Sequence, residues 1–136
     1  MDSYANSRRV APGSRIVHHT IPARLIAELD LAIASERVRD RWFNRSEVIA
    51  RALRRFLDQG GISTLAGDPL EDLRADRRRQ TQFHLPAALV VEYNAAAAGR
   101  AHGHWEAWEV VAIAIRRFLD QGGMALMSAP GTTDLV

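Results

Sequence analysis

The chain has no cysteine and no lysine. Without thiols there is no disulfide framework and no thiolate metal site, which excludes a disulfide-stapled extracellular scaffold. Without lysine, all eighteen basic residues are arginine, whose planar fork donates two hydrogen bonds at once to a phosphate or carboxylate. No apolar run approaches the roughly 18 residues that a membrane span needs. Ser7 to Ser14 is polar and loop-forming rather than the apolar core of a signal peptide, so a cytoplasmic protein is expected. A glycine-rich phosphate loop is missing, and no nucleophile sits near a plausible base, so neither an enzyme nor a cofactor is expected. His102 and His104 with His18 and His19 lack the spacing of metal ligands, and a solvated turn is the expectation there.

What the chain does have is a repeat. Arg-Arg-Phe-Leu-Asp-Gln-Gly-Gly runs from Arg54 to Gly61 and again from Arg116 to Gly123. An identical octapeptide in 136 residues marks an internal duplication. Val48, Ile49, Ala52, Leu53, Phe56 and Leu57 lead into the first copy, and Val110, Val111, Ala114, Ile115, Phe118 and Leu119 take the same offsets in the second. That spacing is one apolar face of an α-helix, stopped by a glycine pair. Farther back, Pro22 to Leu29 matches Pro86 to Tyr93 at an offset two residues larger. Proline suits a first helical turn, and Leu25, Leu29, Ala32 and Ile33 then form a stripe mirrored by Leu89, Tyr93, Ala96 and Ala97. Before each proline stands a short alternating segment, Val17 to Ile21 and Thr81 to Leu85, which reads as a strand. Each unit is strand, helix, turn, helix.

A unit of about forty-five residues buries too little apolar surface to stand alone, and the other copy is its natural partner. The expected organisation is a basic arm over 1–14, a first unit over 15–61, an acidic linker over 62–77, a second unit over 78–123 and a short tail over 124–136. The net charge is only +2, but arginines gather before both strands, at Arg8, Arg9 and Arg15 and at Arg77, Arg78 and Arg79.

A strand, a proline-opened helix and a second helix beginning Asn44-Arg45-Ser46-Glu47, followed by the apolar face above, resembles the ribbon-helix-helix family of bacterial DNA-binding proteins, the Arc/MetJ superfamily. The resemblance covers Arg15 to Leu57 along nearly its whole length. From Arg79 to Leu119 it holds in the strand, the first helix and the apolar face of the last. It implies a mainly α fold with a two-stranded antiparallel β-ribbon, the two tandem units forming a single-chain pseudodimer. It also implies that the ribbon enters the major groove of double-stranded DNA.

Counting back from the prolines, Val17, His19 and Ile21 with Thr81, Phe83 and Leu85 face inward, and Ile16, His18 and Thr20 with Gln80, Gln82 and His84 face outward. His18, Thr20, Gln80, Gln82 and His84 are the expected base contacts. Asn44, Arg45 and Ser46, at a capped helix start, inherit a phosphate-clamping role from the resemblance, joined by Arg15, Arg78 and Arg79. At the second helix start Glu106 and Ala107 replace Asn44 and Arg45, which disfavours a phosphate there, and Trp105 and Trp108 are expected to pack.

The expected role is a transcriptional repressor or regulator, with further self-association on DNA left open. Alternatives are an accessory DNA-binding factor for a plasmid-transfer relaxase, an antitoxin and a helical protein-interaction module. The tail, with Met124, Leu126 and Met127 available to cap the core, offers little surface for wrapping a toxin. No partner protein is indicated.

Overall fold

A computed structural model describes residues 13–36, 43–99 and 104–128. The order is β1 (Ser14–Pro22), α1 (Ala23–Glu36), α2 (Arg45–Asp58), a 3-10 turn (Gly61–Thr64), β2 (Arg78–Pro86), α3 (Ala87–Ala98), α4 (Ala107–Asp120) and α5 (Gly123–Ser128). The molecule is mostly helical with one two-stranded antiparallel sheet, β1 against β2. The arm over 1–12, the turn over 37–42, the residues 100–103 with His102, and 129–136 lie outside the described residues.

The strands are longer than the alternating segments suggested, nine residues each. Their register pairs Ser14 with Pro86, His18 with Gln82 and Pro22 with Arg78. Both prolines end a strand rather than sit inside a helical turn, which corrects the expectation for that position. Pro86, at the N-cap of α3 with φ −56° and ψ 135°, has no side-chain group to cap the helix. The first N–H of each helix is instead satisfied across the ribbon. Ala23 donates to the Arg77 carbonyl at 2.8 Å, and Ala87 donates to the Gly13 carbonyl at 2.7 Å. The two bonds are sequence equivalents of each other, sixty-four positions apart.

The alternation of the strands survives as faces. Ile21, Thr81, Phe83 and Leu85 are buried and Val17 and His19 half-buried, while Ile16, His18, Thr20, Gln80, Gln82 and His84 are exposed. Beneath the ribbon one core gathers Leu25, Ile26, Leu29 and Ile33 of α1, the apolar face of α2, Leu89, Val90 and Tyr93 of α3, and α4. The last helices cross over: α2 packs on β2 and α4 on β1, with α2 and α4 against each other. Neither half therefore has a core of its own.

The octapeptide closes each last helix identically. Gln59 and Gln121 are C-caps, and Gly60 and Gly122 follow at φ 108° and 72°, a left-handed conformation in which a side chain would be strained. The final glycines differ: Gly61 is also left-handed, at φ 58°, whereas at Gly123 a Cβ would come within 2.5 Å of the Phe118 ring, so that glycine serves close packing instead.

Two segments outside the repeated strand-helix-helix units contribute to the core. The acidic linker is not a loose tether. Leu70 and Leu73 are fully buried, and Asp72 binds both Arg24 of α1 and Arg116 of α4, each at 3.3 Å. The reason is amphipathic spacing: leucines three apart in a turn face one side and leave the acids to meet arginines. In the tail, Met124 and Met127 of α5 are buried as a cap, but Leu126 is 38% exposed, which corrects its assignment to the core.

Candidate nucleic-acid interface

The outward face of the ribbon presents three cross-strand pairs, Ile16 with His84, His18 with Gln82 and Thr20 with Gln80. All five expected base-contacting residues therefore lie on one exposed surface, with Ile16 among them at 44% exposure. Residues 13–22 and 77–86 contain four arginines and none of the sixteen acidic residues. A flat surface of donors and acceptors without carboxylates is chemically suited to an anionic, edge-patterned ligand.

Ion pairing elsewhere sharpens this contrast. Arg24, Arg45, Arg54, Arg74 and Arg116 each bind a carboxylate, and Arg55 and Arg117 donate to Gln121 and Thr64. Arg15, Arg77, Arg78 and Arg79, all on or beside the strands, have no carboxylate partner among the described residues. Arg78 continues the outward face and stacks over the Trp108 ring at 4.5 Å, a contact that fixes its position without neutralising it. Arg15 and Arg79 are repeat equivalents at opposite ends of the ribbon, exposed, but on the core-facing parity of their strands. They flank the outward-facing set rather than extend it.

The helix start at α2 differs in detail from its expected role. Asn44 caps it, its Oδ1 accepting from the Glu47 N–H at 2.7 Å. The Arg45 guanidinium forks onto Asp30 of α1 at 3.0 and 2.7 Å. The Ser46 hydroxyl accepts from the His84 N–H at 2.9 Å, fastening the helix start to the outer edge of β2. All three side chains are thus used within the protein, and they aim the helix end at the ribbon. The helix supplies no partner for the N–H groups of Arg45 and Ser46, which are the anion-binding groups of this end.

The α4 start is closed. Glu109, only 6% exposed, accepts from the Glu106 N–H at 2.7 Å with one oxygen and from Arg74 of the linker with the other. Arg74 also forks onto Asp68 at 2.6 and 3.0 Å and lies over Trp105. The hydrogen bond from Arg74 holds the Asp68 carboxyl below its usual pKa, and the two carboxylates raise that of Arg74. Trp108 takes the position of Ser46, and its buried Nε1 makes no hydrogen bond.

One polar contact escaped the sequence reading. His19, inward where an apolar residue is expected, meets the Tyr93 hydroxyl at 2.8 Å and stands edge-on to its ring. Their repeat equivalents are Phe83 and Leu29, so one polar pair replaces an apolar pair. Burial first, and then His18, lowers the His19 pKa, and burial pushes the Tyr93 hydroxyl up to about 12. The signal was the coincidence of two departures at facing positions of the repeat.

Among the described residues no cluster of three or more histidines and acids is placed to hold a metal ion, and no helix is long and apolar enough to cross a membrane. Compared with family models, curated proteins and solved structures, the chain gives no match.

Proposed function

We propose that this chain is a sequence-specific double-stranded DNA-binding protein of ribbon-helix-helix type, acting as a transcriptional regulator in the cytoplasm. Its two tandem units form a single-chain pseudodimer. The observation that carries the reading is the acid-free ribbon, whose strands and flanks hold Arg15, Arg77, Arg78 and Arg79, none with a carboxylate partner among the described residues. A two-stranded ribbon matches a major groove about 12 Å wide. His18, Thr20, Gln80, Gln82 and His84 would read base edges from it, and Arg15, Arg78, Arg79 and the α2 start would meet phosphates.

The pseudodimer rests on register. In an antiparallel pair around a two-fold axis, the residues opposite each other at the axis must be equivalents. His18 and Gln82, which face each other, are equivalent in the repeat. Because the two strands differ, a single chain would read a site without palindromic symmetry.

Selection of genomic fragments by the purified protein at stated salt concentrations tests the reading. Fragments sharing a short sequence upstream of promoters support it, and clustering at a transfer origin replaces the regulatory role with an accessory one. Absence of any enrichment rejects DNA binding. Gln82→Ala with His84→Ala should lower discrimination between selected and random DNA, by about 1–3 kcal/mol per good base contact. Arg79→Ala should weaken binding to all sequences and reduce the salt slope by about one.

A further inference from the structure

A groove of about 450 Å³ runs between α2 and α3 and ends at α5. Ala50, Arg54, Leu89, Phe118, Leu126 and Met127 are among its lining residues. No described segment fills it.

Its repeat equivalent is filled. Arg54 corresponds to Arg116, Leu89 to Leu25 and Phe118 to Phe56, and these face the space between α4 and α1 through which the linker runs. There Leu70 and Leu73 are fully buried and Asp72 bridges Arg116 and Arg24. The covering shows in the helices as well: Ala112 and Ile113 of α4 are buried, whereas their equivalents Ala50 and Arg51 of α2 are only half-buried.

The segment after the second octapeptide is in register with that linker. Gly61 and Gly123 are equivalent, and both lead into a short helical turn, whose Ile62 and Met124 are buried. Carried on without a gap, the same offset of sixty-two sets Asp134-Leu135 opposite Asp72-Leu73. The charges correspond in part. Arg116 holds Asp120 at 3.7 Å and Asp72 at 3.3 Å; Arg54 holds Asp58 at 3.6 Å in the matching arrangement and also Glu92 of α3 at 2.5 Å, so a docked acid would share Arg54 with Glu92.

We propose that this groove is the receptor of the chain's own C-terminal segment, with Asp134 on Arg54 and Leu135 against Leu89, as Asp72 and Leu73 occupy the related groove. Reach is sufficient: Leu126 and Met127 already line the groove, and the six residues between Ser128 and Leu135 give seven steps of up to about 3.3–3.6 Å each. The docked segment is a weaker strap than the linker. Thr132 stands where Leu70 would be, and Ala88 where Arg24 supplies a second cation. One leucine and one ion pair hold it, so it exchanges on and off the groove more readily than the linker leaves its own. The inference is independent of DNA binding.

The absence of cysteine makes the test direct. A spin label on Thr133→Cys in the full chain should reduce the amide signals of Arg54, Ala88 and Leu89 by more than half. The same label on a chain also carrying Asp134→Asn and Leu135→Ala should leave most of that intensity. Broadening that is absent, or that survives the double substitution unchanged, overturns the proposal. Mixing spin-labelled chains with isotope-labelled, unlabelled-thiol-free ones separates self-docking from exchange. Broadening confined to a single chain supports the strap, and broadening that passes between chains refutes it and gives the groove to a second copy.

Discussion

The starts of α2 and α4 occupy equivalent positions before the same octapeptide, yet they are built from opposite chemistry. At Arg45 the end is capped by a neutral asparagine and pinned to a strand edge by Ser46. At Ala107 it is sealed by Glu109, which the linker's Arg74 neutralises. The contrast continues along the helices. α2 keeps one half-exposed side, while α4 is buried from Glu109 to Ile115, covered by the linker. One shared core accommodates both: one helix start can stay polar while the other is packed away, and the core needs only the sum.

If the linker is what lets α4 be buried all round, its leucines should carry the largest single effect. Leu73→Ala should cost about 2–5 kcal/mol, the range for deleting a fully buried leucine, read as a lower denaturant midpoint. If Leu135 docks in the groove as proposed, Leu135→Ala should cost about 1 kcal/mol or less, because a residue in an open groove stays partly solvated. Equal losses at the two positions would break the contrast between a structural strap and an exchanging one.

The helix starts come next in size. Glu109→Ala removes two hydrogen bonds from a buried carboxylate, one of them with a cation, and should cost about 1.5–3 kcal/mol. Asn44→Ala removes one cap bond at an exposed end and should cost about 1 kcal/mol. Thermal unfolding of the two variants checks the order. Were Asn44→Ala the more damaging, the α2 start would be the structural end and α4 the dispensable one.

Legibility in the sequence followed the range of the forces involved. Periodicity of 2 and 3.6 is written locally, so the strand faces, the helices and the glycine stops could be read from Val17 to Gly61 and again from Thr81 to Gly123. The outward set His18, Thr20, Gln80, Gln82 and His84 followed from alternation alone. Pairings between distant side chains had no local mark. Nothing near Arg45 announces Asp30 as its partner, and nothing near Asp68 announces Glu109 through Arg74. The packing of the linker had no local mark for a related reason. Its acids dominate its composition, and only a groove lined by Arg24 and Arg116 turns Leu70-x-x-Leu73 into a packing element. Regular alternation placed the ribbon; the tertiary partners decided which arginines are held by carboxylates.

The smallest expected effect concerns the polar pair that sets the first strand apart from the second. The folded state holds the His19 pKa below its ordinary value of 6.5, chiefly through burial. Between that lowered value and 6.5 the unfolded chain binds a proton that the folded chain does not, so stability rises with pH across the window. The contribution is complete above about pH 6.5 and is lost as pH falls toward the folded pKa. His19→Phe alone would leave the buried Tyr93 hydroxyl without its partner, so it should destabilise at every pH. His19→Phe with Tyr93→Leu copies the Phe83 and Leu29 arrangement of the opposite side and removes donor and acceptor together. The double variant should unfold with a flatter pH dependence below pH 6.5 while keeping most of its stability at pH 7, as denaturant titration at several pH values would show. An unchanged slope would leave His19 as a packing residue with no part in the acid response.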